Sequence, residues 1–474
     1  MEPPPDRMID DILSVRQGRL FIEEVSAETL ARRFGTPVYV ISENGLRRRV
    51  RRFFHAFEAR WPEGTVHVLP SIKANFSLAL RSILTQEGTG CDTFGQPELY
   101  AALQSRVAPG LISVNGSSKD RSLIEQALQA GARITIDSSR EIGLVREVAR
   151  DLHVRAKVRF RLRPLYHDLD LPSDFHDGDV AIREAAQAYK PGVPTEELLK
   201  LGPEAIAAPE LDVTGVMVHL GRHSADLEVW RRMVRSVGEL IGELHAAWNG
   251  WEPHEIDLGG GFASPRDPTA RATVRGSRRS NGATAPSIEE YAQVLTDGLR
   301  VTLRQAGIKT DGKVLEVEPG RSLYADVGVQ LATVRNIKSQ TRPEPRTWVE
   351  TDTTEMFLLD TLIERNRWAT VVVGKAAEPP SLTADIVGIS CGFDVIVPDA
   401  RLPPVAVGDR IAFLDTGAYQ DATAANFNAM PRPATILVNG SEAELIKRAE
   451  TIEDVFRRDV VPARLQVDLP KERP

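Results

Sequence analysis

Between about residues 43 and 322 the chain alternates short β-branched runs with longer amphipathic helical stretches. Candidate strands fall at 66–73, 89–94, 112–115, 133–137, 157–163, 213–221, 255–261 and 314–320. Parallel strands cannot be joined by a hairpin; each needs a crossover, and a helix is the usual one. Eight such βα units in roughly 280 residues have the size and rhythm of an α/β TIM-type (β/α)8 barrel. The expected barrel is 43–322.

The flanks read differently. The front carries a strand at 19–25, a helix, and a second strand at 37–42. After residue 322 helical periodicity fades, and strand-like runs follow at 327–334, 348–351, 369–373, 384–389, 410–414 and 434–438. Pro403-Pro404 and Gly408-Asp409 mark turns between them. Residues 1–42 and 323–474 are together expected to build an antiparallel β domain. Residues 264–286 hold Pro, Ser, Gly and the arginines Arg266, Arg271, Arg275, Arg278 and Arg279 without periodicity, and read as a surface insertion.

Composition narrows the class. Of 474 residues, 42% are hydrophobic and 26% charged, which is ordinary globular usage. A net charge of −7 gives no overall electrostatic reason to bind nucleic acid or an anionic membrane. Cys91 and Cys391 alone cannot make a disulfide framework or a cysteine-based zinc module, and no metal is expected. No apolar stretch approaches the ~20 residues of a membrane helix. The opening Met1-Glu2-Pro3-Pro4-Pro5-Asp6 lacks the basic and apolar regions of a signal peptide, so a cytoplasmic location is expected.

Barrel enzymes carry their chemistry at the C-terminal ends of the strands. In order those ends read Lys73, Asp92, Asn115, Asp137, Arg163, His219, Gly259-Gly260-Gly261, and Glu318 with Gly320-Arg321. All are polar, charged or glycine, which describes a polar mouth on an apolar barrel. Lys73 caps the apolar run Val66-His-Val-Leu-Pro-Ser-Ile72. Burial lowers a lysine pKa and makes the amine a nucleophile for carbonyls; alone, a lysine snorkelling at a strand end fits as well. Consecutive glycines let backbone N–H groups approach an anion, although any tight turn uses them too. In Glu318-Pro-Gly-Arg321 a carboxylate suits a pyridinium nitrogen and a guanidinium suits a phosphate, or the two are simply an ion pair. A Schiff-base lysine, a phosphate nest and a pyridinium partner are the parts needed for pyridoxal 5'-phosphate.

Val68-Leu-Pro-Ser-Ile-Lys-Ala-Asn75 resembles the lysine motif of fold-type III pyridoxal-phosphate decarboxylases, the diaminopimelate/ornithine decarboxylase family. The resemblance continues through Phe34-Gly-Thr-Pro-Val-Tyr-Val40, Gly90-Cys-Asp-Thr-Phe-Gly-Gln-Pro-Glu98, His219-Leu-Gly221 and Asp257-Leu-Gly-Gly-Gly-Phe262. Glu318-Pro-Gly-Arg321, Leu402-Pro-Pro-Val405 and Asp415-Thr-Gly-Ala-Tyr419 complete it in the same order. It implies an alanine racemase-like barrel with a C-terminal β domain, acting as an amino acid decarboxylase. By that resemblance Lys73 forms the internal aldimine, His219 stacks on the ring, and Asp92 lies close to both. Gly259, Gly260, Gly261, Gly320, Arg321 and Tyr419 hold the phosphate, and Glu318 binds the ring nitrogen. Cys391 is the acid that reaches a partner subunit's site, so a homodimer with shared active sites is implied. Without the family, Cys391 reads as a small buried hydrophobe.

Three departures separate the chain from diaminopimelate enzymes. The family's cysteine is followed by Glu-Ser-Gly-Asp, where this chain has the shorter Cys391-Gly-Phe-Asp394. Counting back from Asp394 puts Ser390 at the cysteine's place; counting forward from Val387-Gly388 puts Cys391 there, and the thiol's chemistry favours the forward count. An Arg-Pro pair that grips a substrate carboxylate is replaced by Leu358-Leu-Asp-Thr361. His219-Leu-Gly is followed by Arg222-His223 where the family has a serine and an amide or small residue; the guanidinium could add to phosphate binding or face a carboxylate substrate, and Arg222, with Asp394, is a candidate substrate contact. An acidic stretch at 166–192 reads as a lid or a solvated loop. The lost groups argue against meso-diaminopimelate and for another amino acid or derivative, as in specialised metabolism. Two rivals stand beside this reading. A racemase of the same fold places arginine, not Glu318, at the ring nitrogen, and a non-catalytic regulator tends to lose the cofactor residues that this chain keeps.

Overall fold

A computed structural model of the protein describes residues 7–170, 181–220, 226–264, 285–364, 366 and 368–465. Arg222 and residues 265–284 of the arginine-rich segment lie outside the described residues, as do 171–180 of the acidic stretch.

Eight parallel strands form one sheet in the order Thr65–Val68, Val314–Val317, Glu255–Asp257, Leu211–Met217, Ala156–Arg161, Arg133–Ile136, Ile112–Val114 and Cys91–Thr93. The outer two of that order meet through a parallel bridge between Ser71 and Asp92, and Gly90 N–H donates to Val68 O at 3.0 Å. The sheet is thus a near-closed barrel, as the alternation predicts. One apolar cluster packs it, from Val50 and Phe53 on the helix Glu43–Glu58 to Leu299 and Leu303 on the helix Ile288–Gln305.

Several strands end two to five residues sooner than their sequence runs suggest. The first stops at Val68, before Pro70, which has no N–H for the ladder. The third from last stops at Met217, and Glu255–Asp257 ends before the glycines. Apart from Asp92, which stays within Cys91–Thr93, the site residues expected at strand ends therefore lie on the loops that follow.

The second sheet has nine strands, centred on the long strand Gly328–Gln340. The sheet is mostly antiparallel, as expected, with two parallel pairs. Arg346–Thr351 pairs with Leu382–Val387 in parallel, and Val38–Ser42 pairs with Ala434–Asn439 in parallel. The first strand of the pair, from the front of the chain, sits between two C-terminal strands, hydrogen-bonded on its other edge to Gly328–Leu331. A separate four-stranded sheet covers residues from Arg7 to Ser26. Val395–Leu402 and Glu442–Lys447 are strands that the sequence reading did not single out.

Candidate active site

Lys73 is carried by a short 3-10 turn, Ile72–Ala74, beyond the first barrel strand. Ser71 N–H donates to Pro319 O at 3.1 Å, and Tyr419 N–H to Ala74 O at 2.6 Å. The lysine loop is therefore pinned on one side by the last barrel strand's loop and on the other by the β sheet. The Lys73 side chain is 53% exposed, with Nζ 3.7 Å from Asp92 Oδ2. The crowding of protein pulls its pKa down, but Asp92, Tyr419 and Glu318 outweigh that and hold it above the ordinary lysine value. The expected lowering by burial is therefore overturned: the local carboxylates stabilise the ammonium more than desolvation penalises it.

Asp92 is buried, accepting from Ser71 Oγ at 2.6 Å and from Asn115 Nδ2 at 2.7 Å. Burial works to raise its pKa, yet the Lys73 charge and these two donors hold it below the usual carboxylate range. Asn115 Nδ2 also donates to Glu318 Oε1 at 2.6 Å. Glu318, fully enclosed, is pushed well above the usual range by burial and by the neighbouring Asp257 and Asp92 carboxylates. Glu98, from the helix Gln96–Gln104, accepts from Phe94 N–H at 2.6 Å and is pushed up to about 7 by burial and by Asp92.

The glycine turn lies beside His219. A Cβ at Gly259 would come within 2.6 Å of Val218 O, and one at Gly260 within 2.2 Å of Glu318 O. Gly259 also has φ +69°, a left-handed conformation that side chains disfavour. Gly260 N–H points to His219 Nδ1 at 3.4 Å, while Gly259 N–H is held by Asp257 Oδ1 at 2.8 Å. Phe262 anchors the end of the turn, stacked on Trp230 at 5.3 Å. A Cβ at Gly320 would lie 3.3 Å from the Tyr419 hydroxyl, so these two residues face each other. Arg321 is buried, with its guanidinium 4.4 Å from the Tyr419 ring centroid. Its Nη1 donates to Asp360 Oδ2, so its side chain already holds an anion of the β sheet's connecting segment.

Cys391 stands apart. Its thiol is exposed and accepts from Asn428 Nδ2 at 3.3 Å, while Cys391 N–H donates to Asn428 Oδ1 at 2.9 Å. Among the described residues no hydrogen bond or ion pair joins it to the Lys73 cluster. Asp394, expected as a substrate contact, is 1% exposed and turns inward. Its Oδ1 accepts from Thr354 Oγ1 at 3.0 Å and Glu355 N–H at 2.7 Å, and its Oδ2 from Ser390 N–H at 2.7 Å. With both oxygens engaged by the chain, it shapes the cysteine loop rather than offering a carboxylate to a ligand. Glu355, which the sequence reading passed over, puts Oε1 3.6 Å from the place a Gly392 Cβ would take. Burial and Asp394 raise its pKa. Its signal was its place in the acidic run Glu350-Thr-Asp-Thr-Thr-Glu355, which continues the strand Arg346–Thr351.

A parallel barrel with a lysine, a glycine cradle and an enclosed carboxylate gathered at its C-terminal mouth defines a cofactor-dependent barrel enzyme. Residues 44–325 match the family described as pyridoxal-dependent decarboxylase, pyridoxal binding domain. The chain belongs to that family of pyridoxal-phosphate-dependent amino acid decarboxylases, the fold-type III enzymes. It is 28% identical over 464 residues to the diaminopimelate decarboxylase of Methanothermobacter thermautotrophicus, covering 97% of this chain and 99% of that one. To the diaminopimelate decarboxylase of Methanocaldococcus jannaschii it is 29% identical over 469 residues, covering 96% and 98%. The crystal structure of diaminopimelate decarboxylase from M. jannaschii in complex with L-lysine superposes with a TM-score of 0.84 at 28% identity, covering 96% of this chain and 99% of that one. The glycine cradle, open only because side chains are missing there, and the lysine–carboxylate cluster fit the cofactor in the donor groups they present.

Proposed function

We propose that the protein decarboxylates an amino acid or amino-acid derivative other than meso-diaminopimelate, acting in the cytoplasm as a homodimer with shared active sites. The observation that carries the chemistry is the Asp92–Asn115–Glu318 chain beside Lys73. Lys73 would hold the cofactor, with Gly259, Gly260, Gly261, Gly320, Arg321 and Tyr419 around its phosphate, His219 on its ring and Glu318 at its ring nitrogen. When bound, pyridoxal phosphate supplies a ring that takes up the electron pair left as CO2 departs.

The residues of the chain do the rest. Asp92 keeps Lys73 charged until the carbonyl arrives. Glu98, raised by burial and by Asp92, adds a further carboxyl group to the field around Lys73. His219, held by Gly260 N–H, blocks one ring face. Cys391, exposed on its loop, protonates the substrate carbon in the partner's site. A division into a barrel at 43–322 and a β unit of 1–42 with 323–474 is supported by the two distinct sheets and by two apolar clusters that lie within the β unit, while the barrel's cluster reaches into it at Ile41, Ala418 and Leu437. Dimerisation is supported by the exposed apolar side chains near the thiol, Phe393 at 99% and Ile389 at 51%.

The substrate reading rests on the cysteine loop. Gly392 follows Cys391 where diaminopimelate enzymes carry glutamate, and Leu358-Leu-Asp-Thr361 stands where they carry the carboxylate-gripping Arg-Pro pair. The similarity to diaminopimelate decarboxylases makes meso-diaminopimelate the first compound to test. A CO2-release screen across L- and D-amino acids and their carrier-protein thioesters, with optical rotation followed in parallel, decides it. Release from diaminopimelate at a rate no other compound exceeds overturns the substrate reading. Loss of rotation without CO2 would mean a racemase.

A further inference from the structure

Beneath the site, the inside of the barrel is ionic rather than apolar. Arg159, on the strand Ala156–Arg161, is completely buried. Its Nη2 lies 2.6 Å from Asp257 Oδ2 and 3.8 Å from Glu318 Oε1, and also donates to Ser113 Oγ. Its Nη1 donates to Glu316 Oε2. On the other side of Glu316, Oε1 receives Arg133 Nη1 at 2.7 Å and lies 2.9 Å from His67 Nδ1. Arg133 also reaches Glu255 at 3.0 Å. Arg159 has a second route upward: its Nε donates to Thr135 Oγ1 at 3.0 Å, and that hydroxyl donates to Asn115 Oδ1 at 2.5 Å. Asn115 is the amide that holds Glu318 and Asp92.

Glu318 thus stands at the top of a stack of carboxylates, with Asp257 beside it and Glu316 below. Arg159 is the guanidinium that touches or approaches all three. A buried ion pair is weak evidence of stability, because replacing it with well-packed apolar groups is often neutral or better. Its place directly under the carboxylate that faces the cofactor ring has a functional explanation instead.

We propose that Arg159 is a positioning residue of the decarboxylase site: holding Asp257 and Glu316 from below and standing 3.8 Å from Glu318, it opposes the uptake of a proton by Glu318, so that this carboxylate can meet the cofactor's ring nitrogen as an anion. This rests on the reading that Glu318 faces that nitrogen. Without Arg159, the carboxylates' mutual repulsion is most simply relieved by a proton on Glu318, the member of the stack already held furthest above the ordinary range. A neutral Glu318 no longer favours a protonated ring, and the ring becomes a poorer acceptor of electrons.

The test compares the affinity of the cofactor-free protein for pyridoxal phosphate and for its 1-deaza analogue, in which carbon replaces the ring nitrogen. General damage to the fold weakens both ligands alike, whereas the proposed role moves only their ratio. A charge-assisted hydrogen bond to the ring nitrogen predicts that the wild type prefers pyridoxal phosphate by roughly 10- to 100-fold. Glu318→Gln should reduce that ratio to near one. Arg159→Met with Glu316→Gln, which removes one buried charge of each sign so that the barrel can still fold, should do the same. Arg159→Lys should lower the ratio severalfold, because one ammonium cannot span Asp257 and Glu316 as the guanidinium does. A wild-type ratio kept in whichever of these two Arg159 variants folds overturns the proposal. A wild type that does not discriminate, or a Glu318→Gln variant that still does, overturns the ring-nitrogen reading itself and the proposal with it.

Discussion

The amide of Asn115 donates to Glu318 Oε1 at 2.6 Å while its other hydrogen serves Asp92. One neutral side chain therefore links the carboxylate beside Lys73 to the carboxylate assigned to the cofactor ring. Its own carbonyl is oriented by Ser113 and Thr135, so the NH2 group has no freedom to turn away. Asn115→Leu removes two donors to buried carboxylates. A hydrogen bond to a charged group contributes about 1.5–3 kcal/mol, so the variant should lose about 3–6 kcal/mol of stability and bind pyridoxal phosphate at least tenfold more weakly. Denaturant unfolding and cofactor titration read the two effects; a variant unchanged in both removes Asn115 from the site.

Lys73→Ala should leave a folded protein that develops no visible absorption band of lysine-bound cofactor and releases no CO2. Because the ammonium also neutralises Asp92, the variant's Asp92 should titrate at higher pH than in the wild type. The absorption spectrum with added pyridoxal phosphate checks the first point, and survival of the band would mean that another amine carries the cofactor.

Glu98 gives a pH signature. Its carboxyl titrates near 4.3 in an unfolded chain and at about 7 in the fold, raised by burial and then by Asp92. Between those values the folded state binds more protons than the unfolded one, so stability falls as pH rises from about 4 to 7. Glu98→Gln should remove this fall, worth on the order of 1–3 kcal/mol, when unfolding is compared at pH 5 and pH 8. A variant with the same pH slope as the wild type would place the group's pKa in the ordinary range.

The two candidates for the proton donor separate cleanly. Cys391→Ala should bind cofactor as the wild type does and lose roughly 10²- to 10⁴-fold in turnover, the usual cost of a missing general acid. Ser390→Ala should be nearly silent, since its backbone N–H, not its hydroxyl, is what Asp394 holds. The reverse pattern in steady-state kinetics would put the acid at Ser390.

Shared sites make a further demand. Lys73→Ala chains, inactive alone, and Cys391→Ala chains, strongly impaired alone, should regain activity when mixed and allowed to exchange, because some mixed dimers hold one site with both residues intact. No recovery, in a mixture that sedimentation shows to have exchanged, would confine each site to a single chain.

Much of this site was legible before the fold. Lys73, His219, the three glycines, Glu318 and Gly320 lie on loops after barrel strands, and Asp92 within the short strand Cys91–Thr93, where a lysine, acids and glycines interrupt apolar runs. Arg159 was not legible in the same way, although Lys157-Val-Arg-Phe-Arg161 alternates with period two. That pattern ordinarily means a polar face toward water, and only barrel closure turns the arginines inward against acids from other strands. Asp394 was misjudged for the converse reason: a short acidic motif beside a cysteine looks outward until its φ of +47° and three donors turn it inward.

By itself the sequence determined the eightfold βα rhythm, the positions of the glycines and the lysine, and the family to which they point, because these depend on local periodicity and local backbone freedom. The tertiary structure alone decided that Val38–Ser42 inserts between C-terminal strands, that Asn115 joins Asp92 to Glu318, and that Arg159 lies under the site. Those pairings join residues up to some four hundred positions apart. Their energies come from strand hydrogen bonds and from buried charges meeting at about 3 Å, and no pattern within one segment encodes a partner that only chain closure brings near.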